Sequence, residues 1–505
     1  MELNERIADA LTEAKSVSNE GIIPSDKLKP KVRVILVNSG FLKQIVRGWY
    51  MLVSAVSAGS STPWFSMFWP FLRQYLTDRF GEDGYCLSPQ SSLDIYTGET
   101  TIPTQLIILT GKSSNSKVDL PYNLSLLLYQ DEKSLPDNFD KRNGVNIMPL
   151  PYSIVKAPPS YFNSKPHNIE IALSMVESVP DISRVLMKIK AVASAERIAG
   201  AYEQTGNEVA AKIIINDMKL EGYTIKPVKP FTNFIPSIGM KVFRSPYAAR
   251  IISMWHSFRN DIIQMFPAPE ISVSSDRIDI IIKEIEKKSQ EDAYHSLSIE
   301  GYKVTDELIS KIRSGDWNPD NNAIDNNLDA TLAAKGYSLA HIEVVNSIIT
   351  AFKSGKPATI FRNSLADWYR QLFFPMIQTG ILKPADLTGY RRNPVYIRNA
   401  MHIPPPYDAV VDSMDTLFQL LEDEENGAVR SVLGHYFFVF IHPYMDGNGR
   451  LARFLMNMML VTSGYPWTII KVSERTEYMK ALDLVAADKD IKPFTNLIIK
   501  EMISQ

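Results

Sequence analysis

Cysteine is almost missing from this sequence: its 505 residues hold one, Cys86. A single thiol excludes an intramolecular disulfide framework and most cysteine-based zinc sites, and it suits a reducing cytoplasm. An excess of either charge is missing too. With 54 Lys and Arg against 56 Asp and Glu, the formal net charge is −2. That argues against a protein basic all over, though not against a local basic patch. Long apolar runs are scarce. The most apolar window, 49–72, is interrupted by Gly59-Ser60-Ser61-Thr62-Pro63, so no membrane span is expected. The residues after Met1 are acidic and polar, unlike the basic and apolar regions of a secretory leader, and the expected location is the cytoplasm. There is no internal repeat and no long low-complexity tract. What remains is an ordinary globular composition, 45% hydrophobic, in a chain long enough for roughly two to four domains with large cores.

The densest chemistry lies in His442-Pro-Tyr-Met-Asp446-Gly447-Asn448-Gly449-Arg450-Leu-Ala-Arg453. An apolar, Phe-rich segment precedes it from Val432 to Ile441, and a second apolar helix follows from Leu451 to Val461. The motif therefore reads as a polar loop between two buried helices. Gly447 and Gly449 permit backbone conformations that other residues resist. Alternating glycines ahead of a helix aim several N–H groups at one point, an anion nest at a positive helix N-terminus. Arg450 and Arg453 are one turn apart and share that face, and arginine matches phosphate oxygens in bidentate fashion. Asp446 adds a hard oxygen ligand suited to Mg²⁺ shared with a substrate phosphate. An imidazole at His442 is placed to take a proton from an incoming hydroxyl. Each residue taken alone has a plainer reading as a cap or turn. Together they read as transfer from a nucleoside triphosphate.

This stretch resembles the signature of Fic-domain enzymes, with Tyr444 where Phe is usual. The resemblance implies transfer of AMP from ATP onto a protein Ser, Thr or Tyr hydroxyl. The related Doc kinases carry Ala and Lys at the positions of Gly447 and Gly449, so the glycines favour AMP transfer over phosphorylation. It further implies His442 as general base, Asp446 and Asn448 holding Mg²⁺ and phosphate, Gly447, Gly449 and Arg450 cradling the phosphates, and Arg453 gripping the terminal one. ATP is the implied co-substrate and Mg²⁺ the implied cofactor. Fic cores often dimerise, so a homodimer and self-modification are further expectations. The resemblance does not name a target protein.

Upstream, the periodicity of Ile278, Ile281, Ile282 and Ile285 predicts a helix from Asp276 to Tyr294, running into Ser296-Leu-Ser-Ile-Glu300-Gly301. That segment resembles the inhibitory motif of many Fic proteins: Ser or Thr, three residues, Glu, then Gly or Asn. The resemblance implies that Glu300 pairs with Arg453 and denies it to the γ-phosphate, since a carboxylate and a phosphate compete for one guanidinium. In some relatives the same Glu also supports removal of AMP. Residues 389–406 alternate apolar and polar around a turn, which predicts an exposed hairpin. By resemblance this is the flap that receives the target backbone as an added strand, with Val395 and Ile397 at the docking edge. Relatives often hold adenine with a Tyr and an Asn. Here Met479 and Ala486 fall at those positions, which leaves transfer of another nucleotide, such as UMP or GMP, open. Asp483 and Asp488 are the polar substitutes considered there.

In the N-terminal half, helices over 3–14 and 28–37 and a hairpin over 41–53 outline a winged helix. Lys29, Lys31, Arg33, Lys43 and Arg47 cluster on it and are candidate phosphate contacts for DNA, or a solvated face of a protein-docking module. Leu42 to Tyr50, Tyr85 to Tyr96, 101–110, 197–202 and 218–223 resemble AbiEi-type antitoxin and regulator proteins over roughly residues 1 to 225. Strands are predicted over 105–109 and 124–129, and helices over 169–176, 185–201, 248–265, 410–422 and 475–484.

The combined reading is a multidomain α+β protein. Residues 1–80 form a winged-helix-like domain, 81–225 an AbiEi-like α/β domain, 226–274 a helical join, and 275–505 an all-α Fic core with a β-hairpin flap and an inhibitory helix at 276–301. The expected function is autoinhibited protein adenylyl transfer. The alternative is a DNA-binding regulator or antitoxin-like module with a silenced Fic core.

Overall fold

The computed structural model of the chain describes residues 3–53, 62–111, 115–232, 234–238, 245–269, 277–314 and 328–504. The interruption expected at Gly59 to Ser61 lies outside the described residues. The chain divides into two compact units, Met1–Arg250 with Tyr396–Ile403, and Ile251–Val395 with Pro404–Gln505. Among the described residues, no helix is long and apolar enough to cross a membrane.

The first unit opens with α1 (Leu3–Val17), β1 (Ile22–Pro24), α2 (Pro30–Asn38), β2 (Leu42–Val46) and β3 (Trp49–Leu52). The strands form one antiparallel sheet in the order β1-β3-β2. Ile22 faces Met51 and Leu42 faces Leu52. Helix α2 begins at Pro30, whose fixed φ suits a first helical turn. It buries Leu36 and leaves Val34 and Val37 exposed. Helix α3 (Thr62–Phe80) buries Trp64, Phe68, Phe71, Leu72 and Leu76, in one core with the next sheet. That sheet comprises β4 (Tyr85–Leu87), β5 (Gln105–Thr110), β6 (Ser116–Asp119) and β7 (Ser125–Gln130), in the order β4-β5-β7-β6. Strands β5 and β7 run parallel.

A small ribbon, β8 (Asp140–Arg142) with β9 (Val145–Ile147), leads into the helices Leu150–Lys156, Pro159–Ser164, Pro166–Ser174, Val179–Lys188, Val192–Gln204 and Glu208–Leu220. The single helix predicted over 185–201 is therefore two. Lys190 takes φ +54. The Ala191 N–H reaches Leu186 O and the Lys190 N–H reaches Met187 O, the pair of bonds that closes a helix on a left-handed residue.

The hairpin predicted across 389–406 does not form, and no strand of its own is assigned to that stretch. Pro394 and Pro404, Pro405 and Pro406 remove ladder donors from both intended strands, and Asn399 is left-handed at φ +60. Residues 396–403 belong instead to the first unit. There His402 bridges Thr101, the Ile403 N–H donates to Thr100 O at 2.8 Å, and the Asn399 N–H donates to Thr62 Oγ1 at 3.1 Å.

The second unit is helical. Besides residues 251–265 of the helix Pro246–Met265 it holds Ile278–Ile299, Asp306–Ser314, Leu328–Ser354, Pro357–Gln378, Val410–Asp423, Gly427–Ile441, Asn448–Thr462, Arg475–Asp488 and Lys492–Ile503. Helix Gly427–Ile441 buries 12 of its 15 residues and Asn448–Thr462 buries 13 of 15. A helix apolar on all sides has to sit inside the core, so these two form the centre and the loop between them is held from both ends.

The start of the first of these helices is fixed by Glu424. Its carboxylate takes Arg259 Nε at 2.7 Å and Nη2 at 3.0 Å, and the Asn426 N–H at 2.9 Å. Burial works against its charge, but Arg259 and the Asn426 N–H outweigh it and hold the carboxyl below its usual range. Truncation would strip the partly exposed Arg259 of its partner and leave the helix start unbraced. Glu424→Ala should cost the second unit about 2 kcal/mol, read as a lower urea midpoint. An unchanged midpoint would contradict this.

Candidate functional site

The loop between the two central helices starts at His442, which caps Gly427–Ile441 in a left-handed conformation, φ 51 and ψ 60. A non-glycine residue holds that geometry only when its surroundings impose it. Arg391 does so. Its Nε donates to His442 O at 2.7 Å, its Nη2 to Ile441 O at 3.3 Å and to Pro405 O, and its backbone N–H to Pro443 O at 2.9 Å. The His442 ring lies 3.2 Å through Nδ1 from Val439 O. A carbonyl only accepts, so Nδ1 carries the hydrogen and the neutral ring keeps its lone pair on Nε2. Burial, helped by Arg391, pulls the imidazole down to about 4, so it is neutral at physiological pH.

Tyr444 stacks on Tyr369 with centroids 3.8 Å apart. Asn448 then staples the turn: its Oδ1 takes the Tyr444 N–H at 3.0 Å and its Nδ2 donates to Tyr444 O at 2.9 Å. Both ends of the amide are committed. Gly447 sits at φ +82 as the residue ahead of helix Asn448–Thr462. Gly449 has a different reason to be glycine, because a Cβ there would run into Glu300 Oε1.

Arg450 is fully buried. Its guanidinium carbon lies 5.3 Å from the Tyr302 ring centre and 5.2 Å from that of Phe373, and its Nη2 is 3.2 Å from Asp446 Oδ2. Arg453 donates through Nε to Ser296 Oγ at 2.8 Å, and through Nη2 to Ser296 O at 3.1 Å and Glu300 Oε1 at 2.7 Å. Burial opposes the Arg453 charge, yet Glu300 together with the Tyr478 and Tyr337 hydroxyls outweighs it and raises the pKa. Arg450 Nε, Arg450 Nη1 and Arg453 Nη1 are buried with no hydrogen-bond partner among the described residues. Three unpaired guanidinium N–H positions at a helix N-terminus are a strong demand for an anion.

Asp446 takes the Gly447 N–H at 2.6 Å, and its side chain is 59% exposed. Among the described residues, no group of three or more His, Cys, Asp or Glu stands together to hold a metal. One accessible carboxylate fits Mg²⁺ whose remaining ligands are phosphate oxygens and water.

The structure thus brings together Ser296, Glu300, Asp446, Gly447, Asn448, Gly449, Arg450 and Arg453, with Gly301 at φ +95 closing the helix that carries Glu300. Val395 and Ile397 lie half-buried on irregular backbone rather than on a paired strand. Met479 is half-buried, whereas Tyr478 and Ala486 are buried, and the Tyr478 hydroxyl bonds His435 Nε2 at 2.8 Å. Of the basic residues in the first unit, Lys29 pairs with Glu13 at 3.2 Å, while Arg33 lies over Tyr50 and Lys43 over Tyr122. Lys31 and Arg47 are exposed. Sequence reasoning missed Arg391, Tyr302 and Phe373, and also Asp292. None has a spacing signal relative to the motif, because each reaches it through the fold.

Residues 363–460 match the model of the Fic/DOC family. Over a longer stretch the chain is similar to proteins named protein adenylyltransferase Fic. The Drosophila melanogaster protein is 30% identical over 212 residues, 41% of this chain and 39% of that protein. The Drosophila mojavensis protein is 29% identical over 214 residues, 41% of this chain and 38% of that protein. The chain thus spans about two fifths of the length of the curated relatives it matches. Among solved structures, residues 134–508 of Fic-1 from C. elegans are 18% identical, with 70% of this chain and 88% of that chain covered and a TM-score of 0.36.

Asp292 lies on the helix that carries Ser296 and Glu300, takes the Tyr337 hydroxyl at 2.6 Å, and is pushed up to about 6 by burial. A carboxyl raised from about 3.9 in the unfolded chain favours the folded state only while protonated. Its ionised form costs stability as pH rises from about 4 through 6, and the full cost of about 3 kcal/mol is present above that window. Asp292→Asn should raise the melting temperature at pH 8, with about half the gain left at pH 5. A gain that grows toward low pH would reject this account.

Proposed function

We propose that the chain is an autoinhibited protein adenylyltransferase that moves AMP from ATP onto a Ser, Thr or Tyr hydroxyl of a protein. The observation that carries this reading is the set of unpaired Arg450 and Arg453 donors at the N-terminus of helix Asn448–Thr462, with Glu300 occupying one edge of Arg453. The similarity to proteins named as adenylyltransferases supports the choice of reaction. Asp446 and phosphate oxygens would hold Mg²⁺, which when bound neutralises phosphate charge.

In this reading neutral His442 accepts the proton of the target hydroxyl on Nε2, while Val439 O fixes the Nδ1–H tautomer. The hydroxyl oxygen bonds to the α-phosphorus, and the bond from that phosphorus to the bridging oxygen breaks. Pyrophosphate leaves with that electron pair. The N–H groups of the helix start and Arg450 stabilise the charge. Arg453 joins them only after Glu300 yields. The same Glu300, freed from Arg453, is positioned by chemistry to align water for removal of AMP. Because Met479 and Ala486 stand at the positions where relatives hold adenine with a Tyr and an Asn, transfer of another nucleotide is the variant reading of the same mechanism. Self-modification and homodimer formation belong to this proposal as well.

A second reading adds DNA contact through the first unit. Helix α2 presents Lys31, Val34 and Val37 to solvent and the adjoining hairpin presents Lys43 and Arg47. Binding of the full chain to its own promoter DNA should then weaken steeply with salt, and equal retention of random duplex at the same salt would sink sequence-specific regulation.

With α-labelled ATP, Glu300→Gly should incorporate at least about tenfold more label than wild type, and Glu300→Gly/His442→Ala none. γ-Labelled ATP should give no label. Equal α-labelling by wild type and Glu300→Gly would overturn autoinhibition, and γ-labelling would overturn AMP transfer. Adding Arg391→Ala to Glu300→Gly should lower turnover about tenfold or more through the His442 backbone, with the KM for ATP changed much less. A purely structural role for Arg391 would instead lower the yield of folded protein and leave turnover per folded molecule intact.

A further inference from the structure

The two arginines at the start of helix Asn448–Thr462 are closed by different means. Glu300 closes Arg453 with a carboxylate oxygen at 2.7 Å. Arg450 is closed with rings. Its side chain is fully buried, and Nε and Nη1 are out of reach of solvent with no hydrogen-bond partner among the described residues. Asp446 faces Nη2 alone, at 3.2 Å. The guanidinium carbon lies over the ring of Phe373, 5.2 Å from its centre, and over that of Tyr302, at 5.3 Å. Ring faces attract the charge, but they leave the Nε and Nη1 hydrogens unmet. A phosphate reaches those hydrogens only after one of the rings has moved.

The rings differ in how they are held. Phe373 is buried within helix Pro357–Gln378. It is pressed against the loop, since a Cβ at Gly447 would lie 2.9 Å from both Phe373 Cε2 and Leu372 Cδ2. Moving it would disturb the core. Tyr302 is half-buried and lies outside any helix. It follows Gly301, whose φ is +95 and whose missing side chain would point into open space, so the backbone there can pivot. The Gly301 N–H donates to Ser298 O at 3.0 Å and the Tyr302 N–H to Leu297 O at 3.1 Å, the pair of bonds that closes a helix on a left-handed residue. One turn of backbone thus carries Glu300 to Arg453 and, two residues on, Tyr302 to Arg450. Burial raises the pKa of the Tyr302 hydroxyl and the Arg450 charge works against that rise, in keeping with a ring turned toward the guanidinium.

We propose that Tyr302 is a second inhibitory contact: its ring covers the Arg450 donors and has to turn away about Gly301 before a phosphate can meet them. The regulatory meaning rests on the adenylyltransferase reading. Loss of Glu300 opens Arg453 and leaves this cover in place, because neither the Tyr302 N–H bond nor the ring's contact with Arg450 needs a carboxylate at position 300. Inhibition then has two parts, one of charge and one of access, and a phosphate chain gains both arginines only when the whole turn yields.

The test titrates inorganic pyrophosphate into the full chain by calorimetry. It compares Glu300→Gly with the same variant carrying Tyr302→Ala, Tyr302→Leu or Tyr302→Phe. Loss of the ring in the Ala and Leu variants should tighten binding at least about fivefold over Glu300→Gly alone. The Phe variant keeps the ring and should stay within about twofold of Glu300→Gly. Leucine preserves an apolar contact with the core, so the comparison stands even where Ala lowers the melting temperature. Unchanged affinity in both Ala and Leu would mean that the ring bars nothing, and weaker affinity would make Tyr302 a support that holds Arg450 for the phosphate. Either result overturns the proposal, as does a Phe variant that binds as tightly as Ala. No measurable heat in any variant would reject the phosphate site itself. Tighter binding without incorporation of α-label would leave the cover standing and sink adenylyl transfer alone.

Discussion

The charge of Arg453 has to be satisfied in a place where water does not reach it. The side chain is 4% exposed and is held by Ser296 through both hydroxyl and carbonyl and by Glu300 through one carboxylate oxygen. Much of the second unit is arranged around that demand. The helix Ile278–Ile299 is drawn across the start of Asn448–Thr462 to deliver Ser296 and Glu300. Arg475 Nε donates to Ile299 O at 2.7 Å and closes the far end of that helix. Losing one partner of a buried pair leaves a charge that the interior cannot solvate. Any rearrangement that removes Glu300 must therefore bring another anion, and a terminal phosphate meets that requirement.

The loop itself shows how a strained backbone is maintained. His442 and Gly447 both adopt left-handed conformations within six residues, and only one of them is glycine. The cost at His442 is met by Arg391, which links four carbonyls around the turn, and by the ring's own bond to Val439 O. Asn448 fixes the other half by gripping both polar atoms of the Tyr444 backbone. The site is thus rigid before any ligand arrives, as a preorganised electrostatic site requires.

Much of this was legible in the sequence because the information is local. The two central helices are near-continuous apolar runs, the loop residues are contiguous, and Ser296 and Glu300 share one helix face by spacing alone. The strands Gln105–Thr110 and Ser125–Gln130 follow from the same kind of local signal. What failed to show has a physical cause in each case. The alternation in 389–406 predicts a hairpin, but prolines on both sides withhold its donors and the segment pairs with Thr100 and Thr101 instead. A helix ran through 185–201 on apolar content until Lys190 broke it with a left-handed turn. Arg391 and Phe373 reach the loop from distant positions in the chain, and Tyr302 and Asp292 flank the Ser296–Gly301 motif without belonging to it, so no window of sequence places these side chains beside a loop they meet only after folding.

The absence of a side chain at Gly449 has a kinetic side as well. Glu300 Oε1 sits in the space a Cβ would fill at Gly449, the same side of the helix start on which the proposed function places a phosphate. Carboxylate and phosphate thus exclude each other by volume as well as by charge. On the proposed adenylyltransferase reading, Glu300 is a competitive inhibitor on a tether, present at an effective concentration set by a helix rather than by the surrounding solution. Such an inhibitor is never diluted. On that reading its strength depends on how firmly the tether is held in register, so a change that loosens the helix weakens inhibition without altering Arg453 itself.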